Sequence, residues 1–138
     1  MREVIFRGKS LKEGKWTYGY LFKIWGQSYI MWGETNGTPN LTEVDSSTCG
    51  QYTGLNDKYD NLIYEKDIVF CHDEDFNDFI GVVTFKNGHF MIKSDLISRY
   101  FLQDFEIEVI GNIYNNPGLL KAIGNTCDNP ELLKDNTP

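Results

Sequence analysis

Residues 16–25, Trp-Thr-Tyr-Gly-Tyr-Leu-Phe-Lys-Ile-Trp, alternate along the chain. A strand points successive side chains to opposite faces. Trp16, Tyr18, Tyr20, Phe22 and Ile24 therefore share one face, and Thr17, Gly19, Leu21, Lys23 and Trp25 the other. The alternate rings are expected to pack the core, with the lysines as ordinary surface. Gly26-Gln27 reads as a turn and Ser28–Trp32 as the hairpin partner. Before this pair, residues 2–7 read as a short strand ending at Gly8, and Lys12–Lys15 as a turn. After it, residues 33–40 read as a loop and Leu41–Val44 as another short strand.

The second half repeats the style. Gly50, Gly54 and the run Asn56–Asn61 are turn chemistry. Leu62–Phe70 reads as a strand approached through a kink at Glu65-Lys66. In residues 80–92, Asn87-Gly88 sits between two alternating runs. That is a hairpin signal, because a type I′ turn needs positive φ at both central residues. Residues 105–114 set Phe105, Ile107 and Val109 against Glu106 and Glu108, so one face is wet. Helix is scarce. Residues 94–105 suit a short helix capped by Ser94 or Asp95, and residues 115–123 another, with Pro117 opening it after an Asn cap. The pattern Ile-Gly-Asn…Asn-Pro-x-Leu-Leu occurs at 110–120 and again at 123–133. The second copy has Thr126 and Cys127 where the first has Ile113 and Tyr114, so residues 123–138 read as a peripheral tail on a single β domain, 1–122.

Composition narrows the function. At 138 residues the chain suits one domain with a core that needs no staples. The aromatic share of 14% fits pleated, half-buried surfaces. The N-terminus is charged and has no apolar export region, and no run approaches a membrane helix; a cytoplasmic protein is expected, with no membrane partner. Cys49, Cys71 and Cys127 then read as free thiols. The net charge of −7 disfavours nucleic acid as the partner. The charge is uneven: residues 1–33 hold six basic groups and two acids, net +4, leaving net −11 beyond them.

Candidate chemistry is thin. The loop at 72–79 carries Asp73, Asp75 and Asp78 beside Glu74, oxygen ligands that a hard cation would accept. The positions where a calcium loop needs Gly and Glu hold Asp78 and Thr84, so the pattern fails. Cys71-His72 has no paired ligand spacing for zinc. Neither histidine, His72 or His89, has a nucleophile at telling spacing. No catalytic residue, cofactor or metal is assigned, with Asp73, Asp75 and Asp78 as the weak metal candidates.

Three segments carry a resemblance: residues 14–21 (GKWTYGYL), 43–69 (EVDSSTCGQYTGLNDKYDNLIYEKDIV) and 105–120 (FEIEVIGNIYNNPGLL). Together they resemble the YopX family of phage and prophage proteins, from residue 2 to about 120. The chain departs from that pattern at Cys49, at 59–62, and at Lys66, where the family has Gly. Lys66 is accordingly expected to avoid positive φ. The resemblance implies a β-rich fold and a phage or prophage origin, and no reaction. The expected architecture is all-β: a small SH3-like barrel or β-sandwich of short antiparallel strands with one or two short helices near the C-terminus. The expected function is a non-enzymatic accessory protein acting by self-association or by binding a host or phage protein in the bacterial cytoplasm. The alternatives are a nucleic-acid-associated factor, using the basic aromatic first third, and a metal-assisted hydrolase using the acidic loop.

Overall fold

The computed structural model describes residues 4–72, 78–94, 100–101 and 106–122. The fold is mainly β, and the chain divides into two units, 1–54 and 55–138. In the first lie β1 (Phe6–Lys9), β2 (Trp16–Ile24), β3 (Gln27–Thr35) and β4 (Thr38–Val44). A 3₁₀ turn (Ser46–Thr48) follows, and then β5 (Gly50–Asn56), which runs across the unit boundary. These strands lie in the order β4-β3-β2-β1-β5, antiparallel where paired. The second unit holds β6 (Leu62–Tyr64), β7 (Asp67–His72), β8 (Phe79–Lys86), β9 (His89–Lys93), β10 (Tyr100–Phe101) and β11 (Glu106–Asn112). A 3₁₀ turn, Pro117–Ala122, closes the described chain, with Pro117 at its start as expected. Strands β7 to β11 form the sheet β10-β9-β8-β7-β11, also antiparallel.

Neither strand order closes on itself, so the SH3-like barrel gives way to open antiparallel sheets. In the first unit closure begins and stops. Ser10 bridges Val44, and the Asp45 N–H donates to the Lys9 carbonyl at 2.8 Å, which returns the end of β4 to the end of β1. Only the last residues of β4 take part.

Turn chemistry sets three hairpins. Trp25-Gly26, Asn36-Gly37 and Asn87-Gly88 all have positive φ at both residues. That matches the twist of the flanking strands. The Asn87-Gly88 hairpin is as the sequence predicts. Residues 33–40, expected as loop, instead extend β3 and β4 up to Asn36-Gly37. The first turn falls at Trp25-Gly26 rather than Gly26-Gln27. β1 starts later than expected and contains Gly8 instead of ending there. Gly50–Asn56 is strand rather than turn. Part of the helix expected at 94–105 is replaced by β10, where Tyr100 and Phe101 pair with Ile92 and Met91; residues 95–99 and 102–105 lie outside the described residues. The tail 123–138 also lies outside them.

Both faces of the second sheet are covered. Val69, Cys71, Val83 and Ile92 pack with Ile63, Phe79 and Ile107. Ile68, Val82 and Leu120 pack as a second cluster, flanked by Ile80, Ile110, Ile113 and Leu119. The consecutive apolar run Ile68–Cys71 follows from this two-sided burial, since alternation is needed only where one face is wet. No helix among the described residues is long and apolar enough to cross a membrane.

Candidate functional site

The motif residues 50–69 and 110–120 turn out to be joints. Asp57 is buried, and its carboxylate accepts the backbone N–H groups of Tyr59 (2.9 Å), Asn61 (2.8 Å) and Val109 (2.9 Å), and the Asn61 side-chain amide (3.2 Å). The Asp57 N–H closes the turn onto the Asn61 carbonyl, with Asp60 at φ 68°. Burial pushes the Asp57 carboxyl up, but the donors from Val109, Asn61 and Tyr59 outweigh it and hold the pKa below the ordinary value. Asp67 is likewise buried and accepts the Tyr64 N–H at 2.8 Å, which bridges the turn between β6 and β7. Lys66 lies in that turn at φ 74°, against the expectation from its lack of glycine character. Its N–H donates to the Val83 carbonyl, and its carbonyl accepts from Ile113. These tertiary bonds hold a conformation that a lysine disfavours when isolated.

Asn112 and Asn116 close the last turn reciprocally. The Asn112 side-chain oxygen accepts from Tyr114 and Asn115, while the Asn116 side-chain oxygen accepts the Asn112 N–H at 3.2 Å. The Asn116 side chain thus turns back to β11 instead of capping the following 3₁₀ turn, as the sequence had suggested.

The reactive candidates are not assembled. Cys71 is fully buried, and desolvation pushes its thiol up to about 12. Desolvation also pushes Cys49 up to about 11, with Lys23 opposing and Asp45 adding to the shift. A thiol so raised is a poor nucleophile. Of the acidic loop, Asp73 and Asp75 lie outside the described residues. Asp78 meets His72, Oδ1 to Nδ1 at 2.7 Å. No cluster of three metal-ligating side chains occurs among the described residues.

What stands out is a surface. Cross-strand pairs put Tyr20 beside Met31 and Leu41, and Phe22 beside Tyr29, on one face of β2–β3–β4. The opposite face carries Ile30, Ser28 and Val44, all within 2% of full burial. The ring-bearing face was expected in the core, and it is outside: Tyr20 is 62% exposed, Leu41 54% and Ile24 47%. The reason is that the branched residues of β3 and β4 fill the interior first. Phe22 and Tyr29 stack at 5.6 Å on this outer face. At the turn, Trp25 is 98% exposed.

At the other end of β2 a pocket of about 730 Å³ opens between the Ser10–Lys15 turn and Leu41–Glu43. Trp16, Tyr18 and Trp32 line it with Leu11 and Leu41. Trp32 is fixed by its indole N–H donating to the Thr42 hydroxyl at 2.8 Å. Trp16 is held by the Arg7 guanidinium at 4.5 Å from its ring centre and the Lys9 ammonium at 5.4 Å. Sequence alternation marks Trp16 and Tyr18 as one face but assigns none to Trp32; whether anything covers that face is not in the pattern.

The sequence matches the family model described as YopX protein over residues 5–121. Among solved structures, protein yopX from Bacillus subtilis is similar at TM-score 0.57 with 20% identity, over 87% of this chain and 97% of that one. Protein EF1440 from Enterococcus faecalis is similar at TM-score 0.53 with 22% identity, over 87% of this chain and 99% of that one. At these identities the two structures speak for the fold. No curated protein matches the sequence. With the joints at Asp57, Asp67 and Asn112 falling on the segments that suggested it, and the match running through both units, the chain belongs to the YopX family.

Proposed function

We propose that this chain is a non-enzymatic accessory protein of a phage or prophage, and that it works by binding protein through the outer face of β2–β3–β4. The observation that carries the reading is the row Tyr20, Ile24 and Leu41, large apolar groups exposed together on one sheet face. Aromatic patches with a polar rim mark protein contact sites. Charge favours protein over nucleic acid. Arg7 and Lys9 are engaged on Trp16, and Lys15 pairs with Glu13 at 3.5 Å, so half of the six basic groups in residues 1–33 already have partners. Among the described residues the Cys71 thiol serves as core and the Asp57 and Asp67 carboxylates as joints, roles that do not support catalysis.

The test is affinity capture from phage-bearing host cells with the natural chain and with Tyr20→Glu/Leu41→Glu. Partners held by this face are retained by the first and lost by the second. Identical capture by both chains would refute the reading. Saturable, salt-sensitive binding of a single-stranded oligonucleotide would favour the nucleic-acid alternative instead.

A further inference from the structure

We infer that the protein taken by this face is a second copy of the chain: two β2–β3 hairpins lie antiparallel, and Trp25 of each enters the Trp16–Tyr18–Trp32 pocket of the other. The inference rests on the protein-binding reading above and narrows it to self-pairing.

The knob comes first. Trp25 is 98% exposed and sits at φ 51°, in a turn position suited to Asn or Gly. A bulky side chain in left-handed backbone is an outlier, and a bare indole in water adds to its cost. Nothing within the hairpin explains the choice; a contact with another molecule does. The hole is on the same unit. At about 730 Å³ the pocket has room for an indole and its neighbour Ile24. Its rings can meet an indole edge-to-face or offset, the geometries aromatic pairs prefer. A copy cannot fill its own pocket. Trp25 lies eight residues along the chain from Thr17, which lines the pocket, or ~26 Å at ~3.3 Å per residue.

Charge selects the antiparallel arrangement. The pocket end carries Lys12, Glu13, Lys15 and Glu43. The tip, Ile24-Trp25-Gly26-Gln27, carries no charge. Antiparallel hairpins lay the uncharged tip over the charged end, whereas parallel hairpins would set lysine on lysine and glutamate on glutamate. The antiparallel contact is also reciprocal about a two-fold axis, so both knobs and both holes are satisfied at once. Three strands of about nine residues give a footprint of roughly 15 by 30 Å, smaller than the ~800 Å² per partner of a standard interface. An interface of that size belongs with weak, transient contacts, and micromolar pairing is the expected range.

Sedimentation velocity of the full chain from about 5 to about 500 µM brackets that affinity. The natural chain is expected to pass from monomer to dimer. Trp25→Asn, which suits the turn, and Leu41→Glu, in the pocket, should each weaken pairing at least about tenfold. Mixing the two variants should recover association, because one intact knob meets one intact hole. Pairing should survive 0.5 M salt, since the arrangement sets an uncharged tip, not an opposite charge, against the pocket end. A chain that stays monomeric throughout, a Trp25→Asn chain that pairs as tightly as the natural one, a mixture no tighter than its components, or pairing lost at high salt would each overturn the inference. A monomeric chain that still captures partners in a Tyr20-dependent way would sink self-pairing alone; one that does neither would sink the protein-binding reading as well.

Discussion

The Asp57 carboxylate accepts the backbone N–H of Val109 at 2.9 Å across 52 residues of chain. The same carboxylate organises its own turn through Tyr59 and Asn61. Removing it strands three N–H donors in a poorly hydrated joint. Asp57→Ala should cost about 3 kcal/mol of unfolding free energy, and Asp57→Asn about half of that, since one oxygen remains. Urea denaturation of the three chains side by side is the measurement; equal midpoints would mean that the joint contributes nothing.

The same group fixes a pH dependence. Hydrogen bonding outweighs burial and lowers its pKa in the folded chain relative to the unfolded value of ~3.9. A depressed carboxyl contributes stability that is present above the unfolded value and lost as pH falls through the folded one. The stability gap between the natural chain and Asp57→Asn should therefore be constant above about pH 5 and shrink below about pH 4. Urea midpoints from pH 7 down to pH 3 read this directly. A gap that widened with acid would reverse the sign.

Trp25 offers a gain. It contacts almost nothing, so Trp25→Asn or Trp25→Gly relieves the left-handed backbone without losing packing. The expected effect is about 0.5–1 kcal/mol of added stability, or roughly 2–5 °C in Tm. It should be measured in dilute protein, so that any self-pairing through Trp25 does not offset it.

The thiols should be quiet. With Cys49 pushed up to about 11, only about a thousandth of it is thiolate at pH 8. Cys71 is fully buried as well. In a Cys127→Ser background, iodoacetamide labelling followed by mass spectrometry should be slow at Cys49 and absent at Cys71 until urea unfolds the chain. Rapid labelling of native Cys71 would contradict the packing.

Truncation separates the two copies of the terminal motif. Leu120 is buried against Ile68 and Val82, with Leu119 alongside. Ending the chain at Asn115 removes both leucines and should cost several kcal/mol, at roughly 1.5–3 kcal/mol per buried leucine. Ending it at Gly124 keeps them and should cost under about 1 kcal/mol. Comparable loss in both chains would make the tail structural.

Local signals carried most of the fold. Asn87-Gly88 needs only its own backbone preference, and the strands beside it needed only their alternation. Asn36-Gly37 offers the same signal, but Gly33 and Pro39 give its flanks loop chemistry, and pairing of β3 with β4 makes strand of them. Lys66 could not be read, because its positive φ is held by Val83 and Ile113, residues distant in sequence. Asp57 looked like turn chemistry, and it is; its bond to Val109 was invisible for the same reason. The candidate surface was half legible. Periodicity says which rings share a face, but burial depends on what else in the chain competes to fill the interior.

The order of strands in the second sheet has a consequence during synthesis. β7, β8 and β9 are neighbours in sequence and in space, so they can pair as soon as they emerge. β11 is made last and pairs back onto β7. Until residue 112 leaves the ribosome, β7 is an open edge bearing Ile68, Val69 and Cys71. An apolar edge of that kind is a template for pairing with other nascent chains. The first Ile-Gly-Asn segment, at 110–112, is therefore the piece that makes the nascent chain safe, and released chains that end before β11 should aggregate where chains that include it and the turn after it do not.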